Sequence, residues 1–200
     1  MSKGEDTRSR ILAEATHLAS VRGLAGVSLN DVAEAVGLSK SAVFKHFDSK
    51  DDLHRQLVDM LLAQFVEVVW TPAQPLPRGR ARLETILDRW FDWVDGDYWR
   101  GGCPIMAMSI ELDDQPGPLR DALLESRLKW LSVLTSQFRA LADPPVPDDD
   151  AGQAAFEFNG LIMAYNEAKR LLGDVEARNK ARRAFDRLCE RAAAAGAATA

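Results

Sequence analysis

The stretch Ser28–Lys50, SLNDVAEAVGLSKSAVFKHFDSK, leaves the chain little freedom. Ser28 stands where a helix N-cap is needed, with Asp31 three residues on as a variant of the capping box. Leu29, Val32, Ala33 and Val36 recur at helical spacing on one face. Gly37 supplies a residue free to turn left-handed and stop that helix. Ser39 is placed to N-cap a second helix, Ser39–Phe47, whose apolar side is Val43, Phe44 and Phe47. Ser49, with Asp52 three residues later, caps a third. Three caps and one glycine stop in so short a span predict short helices meeting at sharp angles. A duplex major groove admits one such helix while its partner crosses the backbone. Ala33 is small where two crossing helices approach closely. The remaining side chains of the second helix are Lys40, Ser41, Lys45 and His46, with Lys50 just beyond. They are hydroxyls and cations, suited to phosphates and base edges. A small helical packing unit with a solvated basic face has the same spacing.

These residues resemble the DNA-binding domain of the TetR/AcrR family of bacterial transcriptional regulators. The matching residues are Ser28, Val32-Ala33, Gly37-Leu38-Ser39, Phe44, His46-Phe47, Ser49-Lys50 and Leu53, and the resemblance is strong from about residue 8 to residue 57. Phe44 departs from the pattern, which usually has Tyr there, so a hydroxyl that would contact DNA is missing. The resemblance implies an all-α fold. An N-terminal three-helix DNA-binding domain with a helix-turn-helix, residues 1–55, is expected, then a larger helical ligand-binding and dimerisation domain, residues 56–200. About nine helices are expected in all.

A formal net charge of −5 looks wrong for a DNA binder until it is divided along the chain. Residues 1–55 carry eight Lys or Arg and eight Asp or Glu, so the whole −5 lies beyond them. A local cationic edge at Lys40, Lys45 and Lys50 can hold phosphates while the body repels the duplex. The acidic total argues only against a nonspecific basic coat. The start, MSKGEDTRSR, lacks the apolar core of a signal peptide, and no apolar run is long enough to span a membrane. A cytoplasmic protein is expected. Cys103 and Cys189, the two cysteines, do not make a disulfide framework.

Along the chain, residues 1–6 read as a mobile arm, and a first helix runs from about Thr7 to Arg22. Arg8 and Arg10 are placed to touch backbone phosphate. A connecting helix from Lys50 to about Val69 carries the domain boundary, and prolines at 72, 75 and 77 follow it. Further helices are expected at about Arg80–Val94, Pro104–Leu112, Pro118–Ala142, Asp150–Leu172 and Val175–Ala194. The helix beginning near Asp150 is apolar nearly all round, which predicts burial on more than one side. With the last helix it is expected to form a two-fold four-helix bundle, with Phe158, Ile162, Tyr165, Phe185 and Leu188 at the dimer interface.

Two further sites are expected. Trp90, Trp93, Met106, Trp130, Phe156, Asn159 and Met163 are candidates for an effector pocket, since apolar walls with a few polar groups mark small-molecule sites. Asn166 and Glu111 are polar residues near those faces. The DNA-binding candidates are Ser28, Ser39, Lys40, Ser41, Phe44, Lys45, His46 and Lys50; of these Ser28, Lys45, His46 and Lys50 are expected mainly at phosphates, and Lys40 and Ser41 at base edges. The function expected is that of a homodimeric, ligand-responsive regulator, a repressor on a pseudo-palindromic operator. Two alternatives are a constitutive DNA-organising protein and a thiol-dependent enzyme using Cys103 at a helix N-terminus. No cofactor or metal is expected, and no HExxH, phosphate-binding glycine loop or Gly-x-Ser-x-Gly elbow is present.

Overall fold

The computed structural model describes residues 3–96 and 98–197. They form nine α-helices: α1 (Lys3–Arg22), α2 (Leu29–Val36), α3 (Lys40–Val43), α4 (Lys50–Phe65), α5 (Arg80–Asp95), α6 (Pro104–Leu112), α7 (Pro118–Arg139), α8 (Asp148–Arg170) and α9 (Ala177–Ala197). There is no β-strand among the described residues. None of these helices is long and apolar enough to cross a membrane.

The chain divides into two compact units. The first joins residues 1–65 to residues 96–124, so it takes in α6 and the first turns of α7 as well as α1–α4. Its core is the inner stripe of α1 (Ile11, Ala15, Leu18 and Ala19) with Val32, Val43, Phe47, Leu53 and Leu57, all buried. Residues 3–6, read from sequence as an arm, are helical, with Glu5 and Asp6 in the first turn where the helix dipole favours them. The segment before α6 closes on the α1 flank. Trp99 lies 6.1 Å from His17, Arg100 pairs with Glu14 at 2.6 Å, and the Gly101 N–H donates to Ser20 Oγ at 3.0 Å. A Cβ at Gly101 would stand 1.8 Å from the Ser20 carbonyl oxygen, so only glycine fits.

The second unit joins residues 66–95 to residues 125–200. It begins with a π-helical turn, Val66–Trp70, where α4 was expected to continue. The Thr71 N–H reaches back to the Val66 carbonyl at 2.9 Å. Pro72 lies just after this turn and cannot extend a helix. The core is an aromatic chain. Trp90 meets Trp130 (5.6 Å) and Phe158 (6.4 Å), and Phe158 meets Phe138 (6.1 Å) and Phe185 (5.9 Å), each edge-on. Edge-to-face contact suits the quadrupoles of stacked rings. On the outside α5 and α9 run antiparallel and share a ladder of ion pairs: Arg80–Asp186, Asp88–Arg182 and Asp92–Arg178. These pairs are solvent-facing and set register more than stability.

Candidate nucleic-acid interface

The reading unit forms as its caps dictate. Ser28 Oγ accepts from the Asp31 N–H (3.2 Å), and the Ser28 N–H donates to Asp31 Oδ2 (3.0 Å), a complete capping box. The Ser28 hydroxyl bond, then the Ser28 N–H, hold the Asp31 carboxyl below the usual range, and Arg22 adds to this. Gly37 at φ 68° ends α2. Ser39 Oγ accepts from the Ala42 N–H at 3.2 Å and starts α3. Ser49 Oγ accepts from the Asp52 N–H at 3.0 Å and starts α4.

Here α3 is shorter than the Ser39–Phe47 helix that spacing suggests. Phe44 closes it as C-cap, and Lys45 and His46 follow as a turn, with the His46 N–H on the Val43 carbonyl (2.9 Å). Val43 and Phe47 are nonetheless both buried, one at the end of α3 and the other after the turn. Phe44 is not on the apolar side; it is 44% exposed, with the Lys40 ammonium 5.6 Å from its ring centre. Lys40, Ser41, Phe44, Lys45 and Lys50 are exposed, and His46 is half-buried. Two hydroxyls are already engaged within the subunit. Ser28 works inside its capping box, and Ser39 caps α3 while lying 3.1 Å from Ser41 Oγ. Lys50 Nζ donates to the Ala25 carbonyl at 3.1 Å, and Arg10 reaches the Val36 carbonyl at 3.3 Å. Lys45 makes no ion pair or hydrogen bond among the described residues.

The pocket candidates do not all belong to one unit, nor are they all buried. Trp90, Trp93 and Trp130 are buried in the second unit, whereas Met106 belongs to the first. Phe156 and Met163 stand 70% and 46% exposed, on the outer face of α8. The helix is not apolar all round as expected, for Gln153, Glu167, Lys169 and Arg170 are exposed on it; the aromatic chain through Phe158 marks its inner side. Asn159 accepts from Arg127 at 2.5 Å. Glu111 is not on a pocket face: its carboxylate binds the backbone of Leu24 and Ala25. A residue that sequence reasoning missed is Gln137, almost wholly buried in the second unit, its Oε1 without a hydrogen-bond partner among the described residues. Nothing in the pattern of α7 marks it.

The interface candidates also divide. Phe158, Ile162 and Phe185 are at most 1% exposed within one subunit, so they form its core and not a seam between subunits. Tyr165 and Leu188 border a groove of about 650 Å³ between α8 and α9, floored by Gly160, Ala164, Ala181 and Ala184. Tyr165 Oη also donates to Asp95 at 2.5 Å, and burial and that carboxylate push its phenol well up. Cys103 sits at the N-cap of α6 without a side-chain cap bond and is buried, as is Cys189, whose thiol burial pushes up to about 12. A buried thiol of that kind is a poor nucleophile.

A short capped helix presented beside a crossing partner, with its cations outward, defines a helix-turn-helix DNA-binding protein. The comparisons give the family. A family model described as bacterial regulatory proteins, tetR family, matches residues 11–57, and the tetracyclin repressor-like C-terminal domain matches residues 79–185. The chain belongs to the TetR family of transcriptional regulators. It is 27% identical over 138 residues to the HTH-type transcriptional repressor KstR2 of Rhodococcus jostii, a match spanning 67% of this chain and 60% of that relative. It is 30% identical over 167 residues to the HTH-type transcriptional regulator Mb3439c of Mycobacterium bovis, spanning 82% of this chain and 87% of the relative. The crystal structure of SCO4454, a TetR-family transcriptional regulator from Streptomyces coelicolor, shares the fold. It superposes with a TM-score of 0.81 at 19% identity, covering 94% of this chain and 96% of the other.

Proposed function

We propose that this chain is a homodimeric, effector-responsive repressor that reads a pseudo-palindromic operator with α3 of each subunit in the major groove. The observation that carries the reading is the outward set on α3 and its following turn: Lys40, Ser41, Phe44 and Lys45 exposed while Val43 and Phe47 anchor from within. Lys40 and Ser41 face base edges, and Lys45, His46 and Lys50 face phosphates; Ser28 and Ser39 set the geometry as caps. Phe44 offers an apolar contact to a thymine methyl. The α8–α9 groove, with its small-residue floor, is where a second copy packs. An aromatic interior with the unpartnered Gln137 carbonyl supports an effector site in the second unit, because buried polar atoms left unpaired call for a partner. The protein acts in the cytoplasm and is not an enzyme. Selection of bound duplexes from a random pool tests the reading. Inverted repeats with half-sites one helical turn apart, about 10 base pairs, are expected. No enrichment at low salt defeats it.

A further inference from the structure

The turn between α1 and α2 is gripped by a helix 86 residues further along the chain. Gly23 (φ 74°) is left-handed, and the next two N–H groups converge on one carboxylate. Leu24 donates to Glu111 Oε2 at 2.7 Å and Ala25 to Glu111 Oε1 at 2.5 Å. Successive N–H groups after a left-handed residue form a concavity that binds anions, and here α6 supplies the anion. A Cβ on Gly23 would lie 2.9 Å from Glu111 Oε2, so glycine keeps the space as well as the conformation. From the other side α4 holds the carbonyls of the same turn. Lys50 Nζ donates to Ala25 O (3.1 Å), and His54 Nε2 meets Val27 O (2.8 Å). The turn ends at Ser28, the N-cap of α2. Its position is therefore the origin from which α2 and α3 depart.

Glu111 lies inside the stretch matched by the C-terminal family domain, yet α6 clusters with the DNA-reading unit. We propose that Glu111 is a positioning residue for operator reading: through Leu24 and Ala25 its carboxylate fixes the turn that aims α3. The proposal rests on the operator-binding reading above. A merely stabilising bond would leave discrimination between duplexes untouched once the protein is folded. A positioning bond changes the fit to one sequence and not the attraction to duplex in general.

Glu111→Gln in the full chain separates these. The amide keeps the size of the side chain, but only one of its two heads accepts, so one N–H loses its partner. It also removes a negative charge from the DNA-reading unit, which by charge alone strengthens binding to any duplex. A weaker operator complex therefore cannot be electrostatic. The dissociation constant for the selected operator should rise on the order of tenfold, a usual size for coupling between sites. That for an unrelated duplex at low salt should stay the same or fall, and the Leu24 and Ala25 amides should exchange faster with solvent. An unchanged operator constant, or equal weakening on both duplexes, overturns the proposal. Wild-type exchange needs no variant: unprotected Leu24 and Ala25 amides would overturn it even if Glu111→Gln did not fold. A wild type that prefers no duplex defeats the operator reading itself, an outcome distinct from a variant that discriminates as well as the wild type.

Discussion

Lys45 gives the sharpest test of how the reading unit meets DNA. Its ammonium is exposed, beside α3, with no carboxylate or carbonyl engaged among the described residues. Lys45→Ala should leave stability within about 0.5 kcal/mol, as exposed substitutions away from special features do. Its effect on DNA follows from counting charges. A homodimer presents the residue twice, so the variant complex neutralises two fewer phosphates. Affinity falls with salt at a logarithmic slope of about −0.9 per neutralised phosphate, so the slope should become less negative by about 1.8. Across a fourfold rise in salt the variant then loses about twelvefold less affinity than the wild type. Fluorescence anisotropy on the selected operator from about 50 to 200 mM salt measures this. An unchanged slope removes Lys45 from the phosphates. A change of about 0.9 means one engaged subunit per complex and refutes the two-fold arrangement.

Three other perturbations follow from the packing. Phe158→Ala removes the ring at the crossing of Trp90, Phe138 and Phe185 and should cost about 3–5 kcal/mol in urea unfolding; a loss below about 1 kcal/mol would mean the aromatic chain is not the core. Ala164→Arg puts a long cation on the floor of the α8–α9 groove and should yield monomers by light scattering; a persisting dimer places the seam elsewhere. His54 is buried, and desolvation, helped by Lys50, lowers its pKa against the opposing pull of the Val27 carbonyl, Asp51 and Glu111. The unfolded chain thus binds this proton more readily. The stability His54 contributes is whole above its unfolded pKa, about 6.5, and is lost as pH falls from there towards the lower folded value. The urea midpoint should drop over that range and drop less in His54→Gln; equal curves would exclude His54 as the cause.

The reading unit was legible because its signals are local. A cap, an apolar stripe and a stop each act within a turn of the helix they define, and Ser28, Gly37, Ser39 and Ser49 all do so here. The extent of α3 was not legible, because no glycine or proline after Val43 marks its end. The inner side of α8 was not legible either. Phe156 and Phe158 are the same residue type two positions apart on one helix, and only their partners send one outward and the other to the centre. Ion pairs and clamps between distant segments, such as Glu111 on the α1–α2 turn, leave no periodic trace. The π-helical turn at Val66–Trp70 likewise depends on how α4 hands over to the proline loop, which an apolar stripe alone does not report.

The composite make-up of the first unit bears on transplantation. A DNA reader cut out at residue 57, where the family match ends, leaves behind Trp99, Arg100, Gly101 and Glu111. Its α1 flank would lose its cover, and two amides of the α1–α2 turn would face water instead of a carboxylate. A chimera that borrows this reader for another regulator must therefore bring residues 96–124 along with the first 65, or recruit a host helix with an acid at the place of Glu111.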